Sequence, residues 1–213
     1  MQFKDRRDAG QQLSQLLEKY KGQEVVVYAL PRGGVVVAAE IAKFLNAPLD
    51  LILAHKIGHP YQPEYAIAAI SESGHLAASS TDIASMKHSW LEAQKLTQIN
   101  EIKRKREQYL KGRKEIPVKG KVAILVDDGI ATGLTMQVGI QELKDRQPKT
   151  IVVAVPVGPK STVNLIKEMV DEVIGIAIDD DRFLGAVGAY YEDFTQTEDE
   201  EVIEILETQS QTQ

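Results

Sequence analysis

The residues best equipped for chemistry stand together in one stretch, Val122-Ala-Ile-Leu-Val-Asp127-Asp128-Gly129-Ile130-Ala131-Thr132-Gly133-Leu-Thr135. Its first half is short, apolar and β-branched, which reads as a buried strand. Two adjacent carboxylates end that strand. A loop of small residues follows, then an apolar pattern at helical spacing through Met136, Ile140 and Leu143. Open α/β sheets bind ligands at such a place, outside the carboxyl end of a parallel strand. Gly129 and Gly133 let the backbone approach a ligand, and unpaired N–H groups at the helix start favour a phosphate. The hydroxyls of Thr132 and Thr135 add donors. Asp127 and Asp128 would repel that phosphate, so they face neutral hydroxyls such as those of a ribose. The stretch reads as a cradle for a sugar phosphate. The competing reading is a strand–turn–helix whose acids merely cap the helix. A cap needs only one acid, and a second beside it at the end of a buried strand is costly without a partner.

A second anion site is written at Pro31-Arg32-Gly33-Gly34, where glycine amides lie beside a fixed cation. By itself this is a common turn; paired with the acidic stretch it gains weight. The sequence Val-Asp-Asp-Gly-Ile-Ala-Thr-Gly resembles the phosphoribosyl pyrophosphate (PRPP) signature of type I phosphoribosyltransferases, and Leu30-Pro-Arg-Gly-Gly resembles their pyrophosphate loop. Further matches at Phe3-x-Asp-Arg-Arg-x-Ala-Gly, Lys56-Ile-Gly and Val187-Gly-x-Tyr-Tyr-x-Asp-Phe-x-Gln resemble a little-characterised microbial branch of that family.

The resemblance implies transfer of 5-phosphoribosyl from PRPP to a nitrogen of a nucleobase or related small acceptor, with release of pyrophosphate. It assigns PRPP to Asp127, Asp128, Gly129, Ile130, Ala131, Thr132, Gly133 and Thr135, and pyrophosphate to Pro31, Arg32, Gly33, Gly34 and Lys56. Catalytic weight falls on Asp127, Asp128 and Lys56, with Mg²⁺ shared by Asp127 through PRPP. It also implies a homodimer. A general acid or base is not evident; Glu64 or Glu72 in the flap are the candidates. Relatives often carry Arg-Lys where this chain has His55-Lys56, which leaves His55 open between ligand and polar strand end. The alternative function is a non-catalytic sensor of PRPP or nucleotide on the same fold.

Composition sets the bounds. The chain has 213 residues, 43% apolar and 26% charged, with no cysteine and a net charge of −6. That is a soluble globular composition without a disulfide framework, which points to the cytoplasm. No apolar run reaches the roughly 20 residues of a membrane span. The negative charge weighs against general nucleic-acid binding. Lys87 to Lys114 is the exception, with nine basic residues against three acidic ones, either a gatherer of anions or a solvated helix face.

These motifs predict an α/β fold of type I phosphoribosyltransferase character, an open and mainly parallel sheet with helices on both faces. The order is a helix over 5–20, strands over 24–30 and 49–54 joined by a helix over 35–45, strands over 122–126, 150–157 and 172–178, and a terminal helix over 198–206. Gly58 to Pro63 reads as a rigid connector, 65–71 and 75–78 as a flap hairpin, and 83–111 as one long helix capped by Thr81 or Asp82. Ser161 or Thr162 caps the helix that follows residue 158. Asp179, Asp180 and Asp181 form either a metal site or a solvated acidic turn, and Tyr190, Tyr191 and Phe194 either stack on a base or pack. One domain over 1–213 is expected, with a core at about 22–57 and 118–178, an insertion at about 58–117, and a hood from the N-terminal helix and about 179–208.

Overall fold

The five-residue run Val25–Ala29 is buried at every position and forms β1, the strand next to the centre of a parallel sheet. Val27 and Ala29 pack to one side while Val26 and Tyr28 pack to the other, so an uninterrupted apolar run is what a strand covered on both faces requires. This computed structural model describes residues 2–179 and 183–211.

The chain begins with α1 (Arg6–Gln15), capped by Asp5, whose carboxylate accepts from the Asp8 amide at 2.8 Å. After β1 come α2 (Gly33–Leu45) and β2 (Leu49–Leu51). Later strands are β6 (Val122–Val126), β7 (Thr150–Gly158) and β8 (Glu172–Ile178), separated by α5 (Leu134–Asp145) and α6 (Lys160–Lys167). The five strands lie in the order β2-β1-β6-β7-β8, all parallel. One face is covered by α1, α2 and the terminal helix α7 (Asp199–Gln211), the other by α5 and α6. The expected sheet with helices on both faces is present.

A second sheet departs from the expectation. The strand predicted over 49–54 stops at Leu51, and Ala54 opens a new strand, β3 (Ala54–His59), which pairs antiparallel with β4 (Gln62–Ser71). The expected connector at 58–63 is therefore a hairpin. The ladder shifts at Gly58, where a Cβ would stand 2.1 Å from the Pro63 carbonyl oxygen, so glycine lets the strands stay close. Strand β5 (Leu76–Ala78) completes a three-stranded sheet.

The long helix is also interrupted. A short α3 (Ser80–Ala84) closes where the Ser85 hydroxyl donates to the Asp82 carbonyl at 2.8 Å, and α4 (His88–Leu110) starts afresh. Asp82 accepts from the Tyr65 hydroxyl at 2.9 Å instead of capping a helix. Along α4, Leu91, Ile102, Tyr109 and Leu110 are buried, while Leu96 is 65% exposed. Helix α6 starts one residue before the expected cap, with Pro159 at its N-cap. The possible metal ligands Asp180 and Asp181 lie outside the described residues. No helix among the described residues is long and apolar enough to cross a membrane.

Candidate active site at the ends of two adjacent strands

Strands β1 and β6 run in register from Val25 opposite Val122 to Ala29 opposite Val126, so both end at the same level. The Leu30 amide donates to the Val126 carbonyl at 2.9 Å, which extends the ladder by one bond. The loops beyond must then emerge side by side. Residues 31–34 and 127–133 do so closely enough that a Cβ on Gly33 would stand 2.0 Å from Asp128 Oδ2, and one on Gly34 would stand 3.0 Å from Asp127 Cα. Glycine at 33 is thus required by close approach. The Pro31–Arg32 peptide is cis.

A cleft of about 580 Å³ opens over these loops. It is lined by Pro31, Arg32, Gly33, Lys56, the run Asp127 to Gly133, and Thr135, together with Arg6, His55, Val187 and Phe194. The sequence-derived candidates therefore share one cleft, with Gly34 packed just beneath it against Asp127. Lys56 reaches the cleft from β3, on the second sheet. Glu64 is exposed on β4, and Glu72 is paired with Arg106; neither lines the cleft.

The acidic pair is asymmetric. Burial, and then the charge of Asp128, push Asp127 well above the ordinary carboxylate range, against the pull of Lys56 and the Asp128 amide, which donates to Asp127 Oδ1 at 2.9 Å. Asp128 instead receives Arg6 Nε on Oδ2 at 2.7 Å, a pair in which both side chains are largely buried. The Tyr191 hydroxyl donates to the Asp128 carbonyl at 2.6 Å. Burial, with Asp128 nearby, raises the Tyr191 phenol, so it stays a donor at neutral pH.

The loop behind the acids is held from below. Ile130 donates its amide to the Val157 carbonyl at 2.9 Å, and the Thr162 hydroxyl donates to the Ala131 carbonyl at 2.9 Å. Gly133 takes a left-handed φ of 74° at the N-cap of α5, where the loop becomes a helix whose first amides have no intrahelical partner.

Comparison with known proteins decides the family. A model of the phosphoribosyl transferase domain matches residues 4–192. The chain belongs to that family. Two Mycobacterium tuberculosis proteins, from strains CDC 1551 and H37Rv and each named "putative phosphoribosyl transferase", are 42% identical over 208 residues, which is 96% of this chain. The chain spans about half the length of these curated relatives, 46% in each case. The crystal structure of TT1426 from Thermus thermophilus is 39% identical, covers 97% of this chain and 98% of its own, and superposes with a TM-score of 0.79. AQ2163 from Aquifex aeolicus, at 12% identity, 82% and 74% coverage and a TM-score of 0.52, shares the fold alone.

Within this phosphoribosyl transferase domain the structure adds residues to which sequence reasoning gave no role. Arg6, besides its bond to Asp128, donates Nη1 to the Thr195 carbonyl at 2.7 Å and lies 3.9 Å over the Phe194 ring. A signal for it existed: a cation in the first turn of a helix opposes the helix dipole and calls for a tertiary partner. Of the aromatic trio, Tyr190 and Tyr191 are buried with Phe3 and pack; Phe194 is half-buried and lines the cleft. Arg32 is not solitary. Its Nη1 lies 3.6 Å from Glu198 Oε2 and 3.7 Å from Asp199 Oδ1 at the start of α7.

Proposed function

We propose that the cleft binds PRPP and that the chain transfers its 5-phosphoribosyl group to a nitrogen of a nucleobase or related small acceptor, releasing pyrophosphate. The observation that carries this reading is the meeting of the 31–34 and 127–135 loops with Lys56 in one cleft. Asp127 and Asp128 take the ribose hydroxyls as acceptors, and Gly129 to Thr135 surround the 5′-phosphate at the start of α5. Pro31 to Gly34 and Lys56 receive the pyrophosphate. In the reaction the bond between ribose C1 and the pyrophosphate oxygen breaks, and the pyrophosphate keeps the electron pair. The acceptor nitrogen forms the new bond to C1 and loses its proton. A dissociating sugar cation asks the protein for positioning and charge stabilisation.

Magnesium fits the oxygen donors on offer. Asp127 keeps one carboxylate oxygen beyond the one bonded to the Asp128 amide, and Mg²⁺ is commonly held by one or two carboxylates with substrate phosphates. When bound, the ion supplies neutralisation of the leaving pyrophosphate. A homodimer in the cytoplasm belongs to the same proposal, and sedimentation and cell fractionation check those two parts.

A second reading, a PRPP sensor without turnover, is favoured by one observation: Asp127 and Asp128 are the only carboxylates among the described residues lining the cleft, and neither flap glutamate reaches it. One experiment separates the two. Pyrophosphate release is followed with Mg²⁺ and PRPP across a panel of purines, pyrimidines and related nitrogen heterocycles, beside calorimetry with Mg²⁺ and PRPP. Release with at least one acceptor, lost in Asp127→Asn and Asp128→Asn, supports the transferase. Heat of binding with no release leaves the sensor. Absence of PRPP binding rejects both.

A further inference from the structure

We infer that Arg6 is a positioning residue for the PRPP site: it fixes the Asp128 carboxylate in the orientation that accepts a ribose hydroxyl. This rests on the proposed PRPP reading of the cleft. Asp128 follows the last residue of β6 by two positions, in a loop that turns away from the sheet, and its backbone alone leaves the side-chain rotamers open. Arg6 closes them. Its Nε takes Oδ2 at 2.7 Å, so in the proposed complex the ribose hydroxyl is left to Oδ1, on a residue that lines the cleft. The guanidinium is itself fixed on two further sides, by the Thr195 carbonyl at 2.7 Å and by the Phe194 ring at 3.9 Å. A Cβ on Gly33 would come within 2.6 Å of Arg6 Nε, so the backbone of the 31–34 turn closes the remaining side. Arginine suits this place because a planar fork can bond, stack and stay charged at once. The side chain is 11% exposed and that of Asp128 16%, so water screens the pair weakly. Removing the cation leaves Asp128 beside Asp127 with no opposing charge on its own oxygens.

The opposite role is a lock, in which Arg6 occupies the oxygen that the ribose needs. The two ideas predict opposite signs. Arg6→Gln and Arg6→Lys are titrated by calorimetry with Mg²⁺-PRPP and, separately, with Mg²⁺-pyrophosphate, which needs the 31–34 turn and Lys56 but no ribose contact. Loss of one charge-assisted bond predicts PRPP binding weaker by about tenfold or more in Arg6→Gln. Arg6→Lys, which keeps the charge without the fork, falls between it and the parent. Pyrophosphate binding falls by clearly less than PRPP binding in both, because the bond lost is to Asp128 and the 31–34 turn and Lys56 keep their own groups. Unchanged or tighter PRPP binding in either variant overturns the inference, as does equal loss of PRPP and pyrophosphate, the mark of a merely structural role. If Arg6→Gln does not fold, the Arg6→Lys result decides by the same criteria. A parent protein that binds no PRPP overturns the function proposal itself and the inference with it, whereas a binding parent with insensitive variants overturns the inference alone.

Discussion

Asp127 and Asp128 are neighbours in sequence with opposite surroundings. One is half-buried beside a like charge and pushed towards protonation; the other holds an arginine. Adjacent residues at the end of a strand point to different sides, so the same two letters meet different partners. Gly33 ties this pair to the other loop, since its missing side chain is what allows Asp128 Oδ2 and Arg6 Nε to lie against it. Gly33→Ala would place a methyl carbon 2.0 Å from that oxygen. Forcing the contact apart is expected to destabilise the fold by about 1–3 kcal/mol and to abolish PRPP binding. Chemical denaturation and calorimetry read the two effects. Retained PRPP affinity in a folded Gly33→Ala protein would show that the two loops do not act together.

At the scale of elements, the small sheet is pinned to the helix that leaves the 127–133 loop. The Ser73 hydroxyl, in the turn between β4 and β5, donates to Glu142 of α5 at 2.5 Å, and its amide donates to the same carboxylate at 3.3 Å. Glu142 is 7% exposed, so losing a donor leaves a buried carboxylate short of a partner. Ser73→Ala is expected to lower stability by about 1–3 kcal/mol and to speed amide exchange in residues 72–78, with PRPP affinity held. Thermal unfolding together with hydrogen exchange checks it; unchanged exchange in that turn would show that the contact does not hold the sheet. The basic character of α4 also finds its place here. Lys105 pairs with Asp199, Arg106 with Glu72, and Lys111 with Glu207 at 2.6 Å, so three of those cations neutralise carboxylates of α7 and of the turn between β4 and β5.

Across the whole molecule, Asp199 joins parts distant in sequence. Its carboxylate pairs with Lys105, accepts from the Tyr109 hydroxyl at 2.6 Å, and lies 3.7 Å from Arg32 of the turn over the cleft. Burial alone would raise it, but the Lys105 and Tyr109 bonds outweigh that and hold it down to about 2, below the ordinary 3.8. A carboxyl depressed in the folded state stabilises above its unfolded value, and that contribution fades as pH falls from about 4 towards about 2. Asp199→Asn should therefore cost on the order of 1–2 kcal/mol at pH 7, with the gap to the parent closing on acidification through that window. Urea titrations across pH measure it, and a gap independent of pH would refute the assignment. The first residues also bind the whole together. Phe3 is fully buried, exchanges backbone bonds with Tyr190 and Glu192, and packs its ring 5.3 Å from Tyr191, which holds the Asp128 carbonyl.

The parallel strands and the two small-residue loops that leave β1 and β6 were legible in the chain because each depends on residues close in sequence. A β-branched run buries itself, acids end it, and glycines open the turn, as at Val122 to Gly133. The break after Leu51 and the hairpin across Pro60 were not legible, because Ala54 becomes a strand only by pairing with Ser71, and no local pattern announces a partner. Arg6 likewise acquires its place from Asp128, which lies 122 residues away. Local propensity is set by neighbours along the chain; which cation meets which carboxylate is set by packing, and only the tertiary structure decides it.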